Sequence, residues 1–156
     1  MGQKKRMFLS SAESFRVSLE AVRTGRAGLN EHRKKILKRV PEPGDWARFP
    51  RESISLKDIA YLSAAEHHEF ALLRGRQEDI LFHGVALHCY LNEELITLLK
   101  EHKFELVAHT HPDWDRITPS QNDRSFLKGI GQKNSMIISS ITGQMLTFGS
   151  SLFEDI

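Results

Sequence analysis

The stretch "NEELITLLKEHKFELVAHTH", Asn92 to His111, decides the fold class. Its first part reads as a helix. Asn92 is a natural N-cap, and Glu93 and Glu94 follow where the positive end of a helix dipole favours acids. Lys100 and Lys103 sit where the negative end favours bases. The second part, "FELVAHTH", is apolar on both faces, which predicts a central strand, not a half-wet one. A helix running straight into a buried strand belongs to an α/β body.

The surrounding segments agree. "SLKDIAYLSAAE" predicts a helix capped at Ser53 or Ser55. "HEFALLRG" and "DILFHGV" predict two strands joined as a hairpin through "RGRQE". "PSQNDRSFLKGIG" predicts a helix stopped by Gly129 and Gly131. "SMIISSIT" and "QMLTFG" predict a second hairpin around Thr142-Gly143. The expectation is one α/β domain with a mixed sheet of about five strands flanked by helices.

Upstream, "VPEPGDWARFP" holds Pro41, Pro43, Gly44 and Pro50, too many breakers for helix interior. It predicts a linker over 41–54, between a basic helical arm (1–40) and the domain proper (55–156). Within the arm, "SAESFRVSLEAVRTG" and "LNEHRKKILKRV" carry apolar residues at helical spacing. The arm has eleven Lys and Arg against three acids, a balance of +8; the whole chain carries +2, so residues 41–156 carry −6. Such an arm can meet nucleic acid or an acidic partner. No aromatic residues interleave the charges, so a solvated face or docking onto the body is preferred. No apolar run approaches the ~20 residues of a membrane span. "MFL" at Met7–Leu9 is too short for a signal peptide. Cys89 is the one cysteine, in keeping with a reducing compartment, and a cytoplasmic location is expected.

The chemistry concentrates at the end of the central strand. His109 and His111 are two apart, so on a strand they project from one face. They stand at the strand's exit, where α/β proteins place ligand sites. Two imidazoles so placed can share one Zn²⁺ at ~2.0–2.1 Å each. Asp123, near the start of the next helix, is the candidate third ligand. Ser120 and Asp123 match a capping box, but Thr118-Pro119-Ser120-Gln121 is the better helix start on paper. With Thr118 as cap, Ser120 and Asp123 share one face of the first turn and are free for chemistry. Trp114, in the intervening loop, either contacts substrate or covers the core. Cys89 reads as a packing residue. His67, His68, His83, His88 and His102 have no paired ligand spacing, and "HHEFAL" is not H-E-x-x-H because Leu72 holds the second histidine position.

"HTHPDWDRITPSQND" resembles the H-x-H…S-x-x-D signature of the JAMM (JAB/MPN) metalloprotease family, carried here by His109, His111, Ser120 and Asp123. Pro112 follows the second histidine and Pro119 precedes the serine, as is often seen there. The eight residues between His111 and Ser120 are one more than the commonest spacing. The resemblance covers roughly residues 55–149 and is nearest to prokaryotic JAB domains, including those attached to polymorphic-toxin and phage-morphogenesis polypeptides. It implies a zinc hydrolase of peptide or isopeptide bonds, deubiquitinase-like or a processor of such a polypeptide. It also implies a glutamate base on an earlier strand. Glu69 fits by order, with Glu66 as the alternative, although the spacing from Glu69 to Gly75 is one short of the family pattern. In that mechanism Glu69 moves the proton of the attacking water, and zinc with the Ser120 hydroxyl stabilises the oxyanion. The implied partner is a polypeptide tail, for instance of a ubiquitin-like modifier, paired as a strand. An inactive JAB scaffold that binds a protein, or a DNA-associated JAB-like protein using the arm, are the rival readings.

Overall fold

The computed structural model describes residues 6–8, 30–84, 93–112 and 118–151. Those residues build a seven-stranded mixed sheet with helices on both faces. In chain order the elements are β1 (Arg6–Phe8), α1 (Glu31–Leu37), β2 (Trp46–Pro50), α2 (Leu56–Glu66), β3 (Phe70–Arg74) and β4 (Glu78–His83). Then follow α3 (Glu93–Glu101), β5 (Glu105–His111), α4 (Gln121–Ile130), β6 (Asn134–Ser139) and β7 (Gln144–Gly149). The spatial order is β1-β7-β6-β5-β3-β4-β2, so the strand expected to be central is the fourth of seven.

Both expected hairpins form, β3–β4 and β6–β7, each antiparallel. The β5–β6 pair is parallel, with His109 opposite Ile137 and His111 opposite Ser139. A parallel pair needs a crossover, and α4 supplies it. The chain therefore returns over the carboxyl end of β5. That connection, more than any propensity, brings the start of α4 to the histidines.

Two hydrophobic cores sandwich the sheet. On one face Ile59, Ala60, Tyr61, Leu62 and Ala64 of α2 pack on Phe70, Leu72, Leu81 and Ala108. On the other, Leu95 and Leu99 of α3 and Leu127 of α4 pack on Ala71, Leu73, Ile80, Leu106 and Phe148. Strand β3 feeds both cores, which is why "FALL" has no polar face: all four residues are buried. At ~1.5–3 kcal/mol per buried large apolar side chain, this strand is a main source of stability.

Several boundaries differ from expectation. The sheet has seven strands, not about five. It takes β2 from the stretch read as a linker and β1 from the stretch read as a helical arm. The proline signal misled because Pro41 and Pro43 precede β2, while Pro50 ends it. The strand is an edge that pairs with β4 alone, where a missing donor is tolerated. Helix α4 is capped by Ser120, not Thr118. Ser120 Oγ accepts from the Asp123 N–H at 3.0 Å and an Asp123 carboxylate oxygen accepts from the Ser120 N–H at 2.8 Å. Two otherwise orphaned donors are satisfied, which decides the register. Gly129 lies inside α4, and Gly131 ends it with φ +75.

The arm's second segment is helical as expected, over Glu31–Leu37 with Asn30 as cap. It docks. Ile36 enters the α2-side core. Asp58, whose backbone and side chain form the α2 capping box with Ser55, also accepts from His32 Nε2 at 3.0 Å and Arg33 Nε at 3.2 Å. The Arg33 guanidinium lies over the Tyr61 ring, 4.7 Å from its centre. The helix expected in "SAESFRVSLEAVRTG", the Asn92 cap, His88, Cys89 and Trp114 fall outside the described residues. Among those described, no helix is long and apolar enough to cross a membrane.

Candidate metal centre

A one-residue irregularity aims the histidines. In the β3–β5 ladder Leu72 faces Ala108 and Leu73 faces Leu106, so Val107 is extra. Such a bulge changes which face the following side chains take. Val107 and Ala108 both pack on the α2 side, whereas Leu106 lies in the α3/α4 core. Beyond the bulge the alternation resumes, and His109 packs edge-on against Phe148 of the α3/α4 side, ring centres 5.6 Å apart. His111, two residues on, lies with it, the two ring centres 5.0 Å apart. Both histidines thus face the helix that carries Asp123.

Three side chains converge there. His109 Nε2 and His111 Nε2 are 3.2 Å apart. Asp123 places one oxygen 3.1 Å from His109 Nε2 and the other 3.7 Å from His111 Nε2. For an ion held tetrahedrally at ~2.0–2.1 Å, neighbouring ligand atoms lie roughly 3.3 Å apart. The observed separations fit such a shell without rearranging the backbone. His109, His111 and Asp123 form the one group of three or more potential metal ligands among the described residues. Both histidines are buried and Asp123 is partly so. This group can hold a metal ion.

The charges of the group are tightly coupled. Burial pushes His109 toward the neutral form, but the Asp123 and Glu69 carboxylates outweigh it and raise its pKa. For His111 burial wins, helped by the neighbouring His109, and its pKa falls despite Asp123. Burial alone would raise Asp123; the His109 charge, hydrogen bonds from both imidazoles and the Ser120 N–H hold its carboxyl well below the usual carboxylate range. His109 Nδ1 is buried with no hydrogen-bond partner among the described residues. Its ring is therefore oriented by Asp123 on one side and Phe148 on the other.

Glu69 joins the cluster. It is 5% exposed, which rules out a carboxylate in solvent at a strand edge. Its Oε1 is 3.6 Å from His111 Nε2. The register explains this: Ala71 faces His109, so two residues back along β3 and two forward along β5 bring Glu69 opposite His111. Glu66, the alternative, is exposed near the end of α2. Ser120 stands at the rim, exposed, with its Oγ used by the α4 cap. A hydroxyl that accepts a hydrogen bond keeps its own proton to donate.

One constellation escaped the spacing argument. His68 Nδ1 and His83 Nε2 are 2.7 Å apart, and His83 Nδ1 donates to the Pro41 carbonyl at 2.8 Å. The His83 ring stacks on Phe70, centres 4.3 Å apart. These residues are fifteen apart in sequence and meet only because β3 and β4 pair. The nearest signal was the alternation that puts His83 opposite Phe70.

Comparison with protein-family models, with curated proteins and with solved structures finds no match to this chain.

Proposed function

We propose that the chain is a zinc-dependent hydrolase of peptide or isopeptide bonds, of the JAMM type that its motif resembles. The observation that carries the reading is a buried carboxylate, Glu69, 3.6 Å from one histidine of a His/His/Asp metal-ligand group. A carboxylate has no packing reason to lie there, and burying it is costly unless it is paired. Here His111 lies within reach of it, and a cation at the group would give it a task.

His109, His111 and Asp123 would hold the ion through two imidazole nitrogens and one carboxylate oxygen. Three protein ligands leave a fourth position open, the pattern of catalytic rather than structural zinc. When bound, the ion supplies Lewis acidity, which activates water and polarises a carbonyl. Glu69 accepts the proton of the attacking water and returns it to the leaving amine. Ser120, at the rim, donates a hydrogen bond from its hydroxyl to the oxygen that gains charge. A polypeptide tail, such as that of a ubiquitin-like modifier, is the proposed substrate.

The test is Glu69→Gln, assayed on a panel of ubiquitin-like fusions with the zinc-loaded full chain. Expected is unchanged fold and zinc content with hydrolysis down by at least ~10²–10⁴-fold. Glu66→Gln should behave as wild type. Equal activity of Glu69→Gln and wild type would overturn the role of Glu69.

A further inference from the structure

The β3–β5 ladder ends at His109, short of Glu69 and His111, and what replaces it is a side chain. The last paired residues are Ala71 and His109. At the next step the Phe70 N–H does not continue the backbone pairing. It donates instead to Thr110 Oγ1, at 2.9 Å, in a fully buried bond. Thr110 is 0% exposed and lies between the two histidines in sequence. By strand alternation its side chain points to the opposite face of β5 from theirs. It cannot ligate the same ion. Its hydroxyl is a strut that holds β3 to β5 where the backbones cease to pair, directly behind Glu69.

The residues on either side of Glu69 are tied as well. Ser63 Oγ donates to the His68 carbonyl at 2.7 Å, and the Glu69 carbonyl accepts from the Gly84 N–H at 2.8 Å. His68 meets His83, itself anchored to Pro41. The chain from His68 to Phe70 is thus fixed from α2, β4 and β5 at once. A segment that merely started a strand would need only its ladder.

We infer that Thr110 is a positioning residue: its hydroxyl, by holding the Phe70 N–H, sets the Glu69 carboxylate across from His111. This rests on the hydrolase reading for its catalytic consequence, but not for the geometry. Catalysis is steep in such placement, since an ångström of misplacement can cost roughly a hundredfold. Valine matches threonine in shape and lacks the hydroxyl, so Thr110→Val strands the Phe70 N–H. Serine keeps the hydroxyl.

The experiment compares wild type, Thr110→Val and Thr110→Ser as full chains. Amide hydrogen exchange is read at Phe70, with Leu72 as internal control, together with zinc affinity and hydrolysis of the fusion panel. For Thr110→Val the expected result is exchange at Phe70 faster by roughly tenfold or more, with Leu72 unchanged. Zinc affinity should stay within a few-fold, and hydrolysis should fall by about a hundredfold. Thr110→Ser should restore both. Unchanged Phe70 protection in Thr110→Val, or wild-type hydrolysis despite lost protection, overturns the inference. If Thr110→Val does not fold, Thr110→Ala against Thr110→Ser makes the same comparison. If zinc-loaded wild type cleaves nothing, the hydrolase reading fails. Exchange at Phe70, with the Glu69–His111 distance in structures of the variants, then still decides the positioning role.

Discussion

Asp123 serves two structures with one carboxylate. One oxygen closes the α4 capping box with the Ser120 N–H, and the other faces His109. Cap and ligand are therefore not rival readings of Ser120-x-x-Asp123. The cap fixes the rotamer that turns the other oxygen toward His109, the kind of supporting contact a metal site needs. Ser120→Ala should lower stability by about 1 kcal/mol through the lost cap. For a domain of this size that is a fall of roughly 2–4 °C in the thermal midpoint, read by calorimetry. It should also lower hydrolysis further than stability explains, whereas Ser120→Thr, which keeps the hydroxyl, should recover most of both. A second residue-scale test concerns Gly75. A Cβ there would stand 2.7 Å from two atoms of the Phe104 ring and 3.0 Å from the Glu78 carbonyl. Gly75→Ala should cost about 1–3 kcal/mol by overpacking, measurable by urea unfolding; a loss within error would mean that Phe104 moves aside freely.

Among the elements, those with strong local signals were legible and those set by pairing were not. Helix α2 announced itself through a serine cap, read as Ser53 or Ser55 and found at Ser55, and β3–β4 through two apolar runs around a short turn. The spacing of His109 and His111 placed both imidazoles on one face, because strand alternation is local. The Val107 bulge had no signal, since no glycine or other breaker marks it. Without it the histidines would share a face with Val107, not with Leu106. Edge strand β2 was hidden by its prolines, and the His68–His83 contact by its dependence on a non-local pair. The docking of α1 was open from charge alone; Asp58 decides it. Burial opposes ionisation of Asp58, but Ser55, His32 and Arg33 outweigh burial and hold its pKa below the ordinary carboxylate value. A carboxylate depressed in the folded state adds stability above its unfolded pKa and loses it as pH falls through the folded one. Asp58→Asn should therefore cost about 1.5–3 kcal/mol at neutral pH. The gap between variant and wild type should close as pH drops below about 4. Chemical denaturation at pH 7 and pH 3 checks this; a gap that widens in acid would refute it.

At the scale of the molecule, sheet order and one parallel crossover gather potential metal ligands from β5 and α4 and a carboxylate beside the start of β3. These parts are separated by some fifty residues of chain, from Glu69 to Asp123, and are held together by the two cores. A metal that binds only this assembled site stabilises the fold by mass action. Zinc at a thousandfold excess over its dissociation constant would add ~4 kcal/mol. Removing it with a chelator should lower the thermal midpoint of wild type but not of His109→Ala. The most direct test of the centre is metal content by elemental analysis of the purified full chain, after zinc incubation and desalting. Close to one zinc per chain in wild type, lost in His109→Ala and in Asp123→Ala while both stay folded, is the expected result. Wild type that remains metal-free, or variants that retain zinc as well as wild type does, would contradict a metal centre at His109, His111 and Asp123.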